Sequence, residues 1–141
     1  MNDVVREQRD KAGTAEAELR MWLFIRKDLP MPPGKLAAQA GHGYATCLWL
    51  SNDRDPDLVS MYMSHAQAKI AVSVKNEVEL LKCVEACKEG GLVAVAVKDA
   101  ARTVFDKSTY TVGAVGPCFR KDLPKRVSRL RLFEAWQTQS D

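Results

Sequence analysis

The sequence predicts an α/β fold in which helices cover a mixed sheet of four strands. Strand-like segments at 21–25, 68–74 and 92–97 are separated by segments whose apolar residues recur at helical spacing. A fourth strand-like run, Thr111-Val112-Gly113-Ala114-Val115-Gly116, follows the third with no helix between. Helix-linked strands pair in parallel with right-handed crossovers, and a strand that follows directly can return antiparallel. At 141 residues the chain suits one core. Residues 21–141 are expected as that single domain, and polar residues 1–20 as a flexible N-terminal extension.

Each element has its own signal. Met21-Trp22-Leu23-Phe24-Ile25 is apolar throughout, as a strand buried on both faces should be. Pro30, Pro32 and Pro33 stiffen a loop, and Gly34 allows a tight turn into a helix over about 35–50. Lys35, Gln39 and His42 stand at i, i+4 and i+7, so they share one face of that helix. The small residues around them, among them Ala37, Ala40 and Gly43, would let the helix lie close to the sheet. Ser51 to Pro56 reads as a stop, and 57–65 as a short helix with Leu58, Met61 and Tyr62 inward. After the second strand, Asn76 and Glu79 have capping-box spacing. The helix they open carries Val78, Leu80, Leu81 and Val84 as its apolar face and ends at Gly90-Gly91. Residues 98–110 are polar and read as a loop. Pro117 should halt the fourth strand, and a helix is expected near 121–130.

Composition narrows the function classes. With 46% hydrophobic and 28% charged residues the chain matches an ordinary globular domain. No apolar run approaches the roughly 18–20 residues that span a bilayer, so no membrane association is expected. Residues 1–20 contain no signal-like apolar core, and a cytoplasmic location follows as the expectation. The four cysteines, Cys47, Cys83, Cys87 and Cys118, then read as reduced thiols. The two histidines, His42 and His65, have no metal-finger spacing to them, so no metal is expected. Near the C-terminus Arg120, Lys121, Lys125, Arg126, Arg129 and Arg131 face Asp122 alone, a tract suited to a polyanion.

Ligands of such sheets sit at the carboxyl ends of the parallel strands. Lys35 follows the first strand at that edge, Asp99, Arg102 and Thr103 follow the third, and an antiparallel fourth strand would start there with Thr111. Lys35, Asp99, Thr103 and Thr111 could therefore converge from three separate segments, with His42, about two turns along the helix, flanking the site. A lysine beside an aspartate can orient a water and stabilise an oxyanion. Amides at the helix start can hold a phosphate. There is no Gly-Lys-Ser/Thr phosphate loop and no Gly-x-Ser-x-Gly elbow.

Lys35-Leu36-Ala37-Ala38-Gln39-Ala40-Gly41-His42 resembles the Lys-x-Ala-Ala-Gln-x-x-His motif of type-2 peptidyl-tRNA hydrolases. Asp99-Ala100-Ala101-Arg102-Thr103 looks like that family's Asp-Ala-Gly-Arg-Thr motif. Thr111 to Pro117 is similar to its Thr-Val-x-Gly-x-Gly-Pro segment. The likeness spans roughly residues 21–133. It implies a three-layer α/β/α sandwich, often dimeric, that hydrolyses the ester between a peptide and tRNA without a cofactor. By the same resemblance Lys35, Asp99, Thr103, Thr111 and His42 correspond to catalytic residues and Gln39 to a positioning group. Asp99 would orient or deprotonate a water, Lys35 would stabilise the oxyanion, and Thr103 and Thr111 would position the ester or water. Arg26, Lys27, Arg102, Lys107, Arg120 and Lys121 are the candidates for binding peptidyl-tRNA, the expected partner, through its phosphates. Ala101 stands where the family has glycine, which makes a catalytically weak tRNA- or protein-binding member the alternative.

Overall fold

The computed structural model describes residues 18–99 and 108–136. Strand β1 (Arg20–Arg26) leads through the proline loop into helix α1 (Pro33–Arg54), helix α2 (Pro56–Met63) and strand β2 (Ala68–Val74). Helix α3 (Glu77–Glu89), strand β3 (Ala94–Lys98) and strand β4 (Tyr110–Cys118) follow. A 3-10 turn (Arg120–Asp122) and helix α4 (Lys125–Ser128) complete the elements among the described residues. The sheet order is β2-β1-β4-β3. β1 pairs parallel with β2, and β4 pairs antiparallel with both β1 and β3. β1, β2 and β3 therefore point one way, and β4, between β1 and β3, runs the other way.

Both faces of the sheet are covered. Met21, Leu23 and Ile25 join Cys47, Met61, Tyr62, Val112 and Ala114 in the core under α1 and α2. Trp22 and Phe24 alternate to the other face and join Leu80, Cys83, Val84, Cys87 and Val127 under α3 and α4. This alternation explains the unbroken apolar run of β1: each of its faces meets a helix layer.

Several boundaries and faces differ from the sequence reading. α1 begins at Pro33, where a missing N–H costs nothing, and continues past Leu50 to Arg54. Asp55 then serves α2, its carboxylate accepting from the Leu58 N–H. β3 starts at Ala94, not Leu92, and β4 runs through Pro117 to Cys118. The expected long basic helix is a 3-10 turn and one short helix. Asn76 caps α3 by accepting from the Glu79 N–H. That cap sets the helix phase, so Leu80, Cys83, Val84 and Cys87 face the core, while Val78 and Leu81 are exposed.

Small residues let the helices approach β4. A Cβ at Gly113 would stand 2.9 Å from Val84, 3.0 Å from Leu80 and 3.1 Å from Phe24. Gly113→Ala should therefore destabilise the domain by overpacking, by about 1–2 kcal/mol, read as a lower urea midpoint at unchanged slope. The C-terminal segment closes one edge of the sheet. Ser73 donates its N–H to the Arg131 carbonyl, Phe133 donates to Ala71, and Leu132 bridges Val72 along the outer side of β2.

Candidate active site

The carboxyl ends of β1, β2 and β3 and the start of β4 share one edge, and the first turns of α1 stand above it. α1 lies mainly over β4 and β3, and its inward face is Gln39, Gly43, Cys47 and Ser51, at four-residue spacing. These side chains are small or polar because each meets the strand closely. A Cβ at Gly43 would touch that of Ala114 at 3.3 Å. Cys47 donates to the Ala114 carbonyl, and Ser51 to the Gly116 carbonyl. The polar stripe read from the sequence thus divides. Gln39 is buried, while Lys35 and His42 are exposed.

At the open end of this face Lys35 Nζ lies 2.6 Å from Asp99 Oδ2. The side chains retain 43% and 25% exposure, so the pair is reachable by substrate. Asp99 is fixed through its backbone, its N–H donating to the Thr109 carbonyl across the strand pair. One turn deeper, Gln39 Nε2 donates to Thr111 Oγ1 at 2.7 Å, and that hydroxyl donates to the Val97 carbonyl. Thr111 is wholly buried.

Thr111 owes its direction to a β-bulge. Val97 pairs with Val112 but Lys98 pairs with Tyr110, so Thr111 is the extra residue of β4. A bulge of this kind re-aims a side chain. Here it puts Thr111 on the same side as its neighbour Val112, with the hydroxyl toward α1, and so shifts Tyr110 to the opposite core. No sequence signal separates this bulge from a regular strand start.

The other expected site residues are spread more widely. His42 lies roughly 10 Å along α1 from Lys35, by the helical rise, and has no hydrogen bond to any described residue. Arg102, Thr103 and Lys107 fall outside the described residues. Lys27 is exposed just beyond β1. Lys75 and Lys98, which sequence reasoning passed over, are exposed at the same edge after β2 and at the end of β3.

Arg26 departs most from its expected place. It is 9% exposed and turned toward α3, on the opposite face of the sheet from Lys35. Its guanidinium donates to both oxygens of Asp28, to Thr109 Oγ1 and to the Tyr110 carbonyl, and pairs with Glu77. The hydrogen bond and charge of Arg26 hold the Asp28 carboxyl below its ordinary range. Arg120 and Lys121 are also displaced. They follow the far end of β4, seven residues beyond Thr111, roughly 23 Å away at strand rise. Arg120 donates there to the Ser128 carbonyl.

The remaining chemistry is quiet. Burial pushes the thiols of Cys47, Cys87 and Cys118 up to about 12 and that of Cys83 to about 11, so none is a thiolate at neutral pH. All four are free. Among the described residues no three His, Cys, Asp or Glu side chains gather as a metal site, and no helix is long and apolar enough to cross a membrane. A cavity of about 280 Å³ lies at the far edge, between Ser51, Asp55, Gly91 and Pro117. Its Ser51 hydroxyl and Asp55 carboxylate are already engaged within the fold.

Residues 19–133 match the family described as peptidyl-tRNA hydrolase PTH2. The chain belongs to this family. A Drosophila melanogaster protein named probable peptidyl-tRNA hydrolase 2 is 34% identical over 86% of the chain, and one of the same name from Schizosaccharomyces pombe is 38% identical over 84%. The chain spans 65% and 58% of the lengths of those relatives. A Methanocaldococcus jannaschii protein named peptidyl-tRNA hydrolase is 30% identical over 82% of the chain and is covered completely. The matched region, residues 19–133, includes both the Lys35–Asp99 pair and the Gln39–Thr111 pair.

Proposed function

We propose that the chain hydrolyses the ester joining a peptide to the 3′ ribose of a tRNA, giving a free peptide acid and a free tRNA. One observation carries this reading: an open ammonium–carboxylate pair, Lys35 and Asp99, in a chain whose relatives bear that activity in their names. In the proposed reaction Asp99 takes a proton from a water as its oxygen adds to the ester carbonyl. The Lys35 ammonium stabilises the oxyanion that forms. Collapse breaks the bond to the ribose oxygen, which accepts the proton held by Asp99.

The buried pair has a supporting role in this scheme. Thr111 is closed to substrate, so its hydroxyl acts by holding Gln39, whose amide oxygen is left to orient the water or the ester. The tRNA phosphates would lie along Lys27, Lys75 and Lys98. The start of α1, which has no side-chain cap and no acidic residue in its first turn, offers free N–H groups to an anion.

The test is single-turnover incubation of the purified chain with N-acetyl-aminoacyl-tRNA. Release of free tRNA and the N-acetyl amino acid is the expected result. Binding with a steep salt dependence but no cleavage would replace the hydrolase reading with a binding one.

A further inference from the structure

The two edges of the sheet are finished differently. The outer side of β2 is covered by residues 131–133. The outer side of β3 pairs with nothing among the described residues, because β3 bonds only to β4 and ends the sheet. β3 is also the strand that delivers Asp99.

Its open groups can be assigned. Gly116 donates its N–H to the Val93 carbonyl, and Asp99 donates to Thr109, so Val93, Val95, Val97 and Asp99 turn their backbone groups toward β4. Antiparallel pairing alternates, so Ala94, Ala96 and Lys98 turn theirs outward. Ala94 is buried, Ala96 is half-buried and Lys98 is exposed. The accessible groups are thus the N–H and C=O of Ala96 and of Lys98, the latter one step before the candidate catalytic carboxylate.

Resting on the hydrolase reading, we propose that the peptide of peptidyl-tRNA adds to this edge as a fifth strand, parallel to β3. Direction supports it. The ester carbonyl must reach Lys35 and Asp99, beyond the carboxyl end of β3, so a peptide lying along that strand runs N to C as β3 does. In parallel pairing one peptide carbonyl accepts from the Ala96 N–H. Two residues later the peptide N–H donates to the Ala96 carbonyl, and that residue's carbonyl accepts from the Lys98 N–H. Recognition of this kind reads backbone and not side chains. It suits a substrate whose peptide sequence varies.

The experiment uses the whole chain and a set of tetrapeptidyl-tRNAs, each N-methylated at one peptide bond, with N-acetyl-aminoacyl-tRNA as the short reference. Methylation at the residue that donates to Ala96 should lower kcat/KM about fivefold, the worth of one backbone hydrogen bond, while methylation of its two neighbours has little effect. Ala96→Pro removes an outward N–H and leaves the β4 ladder intact, as proline at a solvent-facing edge position does. It should bring the tetrapeptidyl-to-reference ratio toward one. Equal rates for all methylated positions overturn the proposal, as does a change of oligomeric mass in Ala96→Pro, which would assign the edge to a second copy of the chain. Cleavage of none of the substrates would overturn the hydrolase reading itself and this proposal with it. Cleavage without position dependence overturns this proposal alone.

Discussion

Lys35→Ala and Asp99→Asn should each lower the single-turnover rate of peptidyl-tRNA cleavage by about 10²–10³-fold, with the fold retained. The size follows from the role. Loss of Lys35 leaves the developing oxyanion without a charged donor, and loss of the Asp99 charge leaves the attacking water without a base. The fold should survive because both side chains keep contact with solvent and their pair is partly exposed. An ion pair of that kind contributes no more than about 1 kcal/mol to stability. Circular dichroism and melting temperature would check the fold, and quenched-flow release of labelled tRNA would check the rate. Because the two groups act as a unit, the double variant should lose little more than the weaker single one. Full activity in both single variants would remove the site and leave the fold assignment untouched.

Much of this arrangement was legible in the sequence, and the reasons are local. β1 and β4 announced themselves as apolar runs buried on both faces, and β2 by its alternation and β-branched residues. The cap at Asn76 was legible from spacing alone. Lys35 and Asp99 could be placed at one edge because the carboxyl ends of helix-linked strands must share it. Three things were not legible. Gln39 is buried because four-residue spacing with Gly43, Cys47 and Ser51 makes one close-packed polar face, which composition alone reads as a solvent stripe. Thr111 faces α1 only through a bulge of one residue. Arg26 looks like the charged end of a strand until Asp28, Glu77 and Thr109 close around it from three segments. The displacement of Arg120 and Lys121 was within reach: a strand that starts at the site edge and runs antiparallel must end at the other.

The placement of Arg26 gives a second large effect, on stability instead of catalysis. Arg26→Met keeps the length of the side chain but leaves Asp28, Glu77, Thr109 Oγ1 and the Tyr110 carbonyl without their common partner. Breaking a fully buried pair costs about 3–5 kcal/mol. The carboxylates here keep 34% and 39% exposure, which lowers the expected loss to about 2–3 kcal/mol, a fall in melting temperature of roughly 10 °C. The acid limb should change as well. Arg26 lowers the Asp28 pKa below the ordinary 3.8, so this pair stabilises the fold above that value and loses its contribution as pH falls through the depressed one. In Arg26→Met that extra acid sensitivity should vanish, visible as a flatter stability profile below about pH 4. A phosphate-binding arginine would behave otherwise: its loss would reduce the salt dependence of kcat/KM by about one unit of log–log slope and spare the melting temperature. An unchanged salt slope with the lowered melting point is the expected pattern, and the reverse would return Arg26 to the tRNA surface.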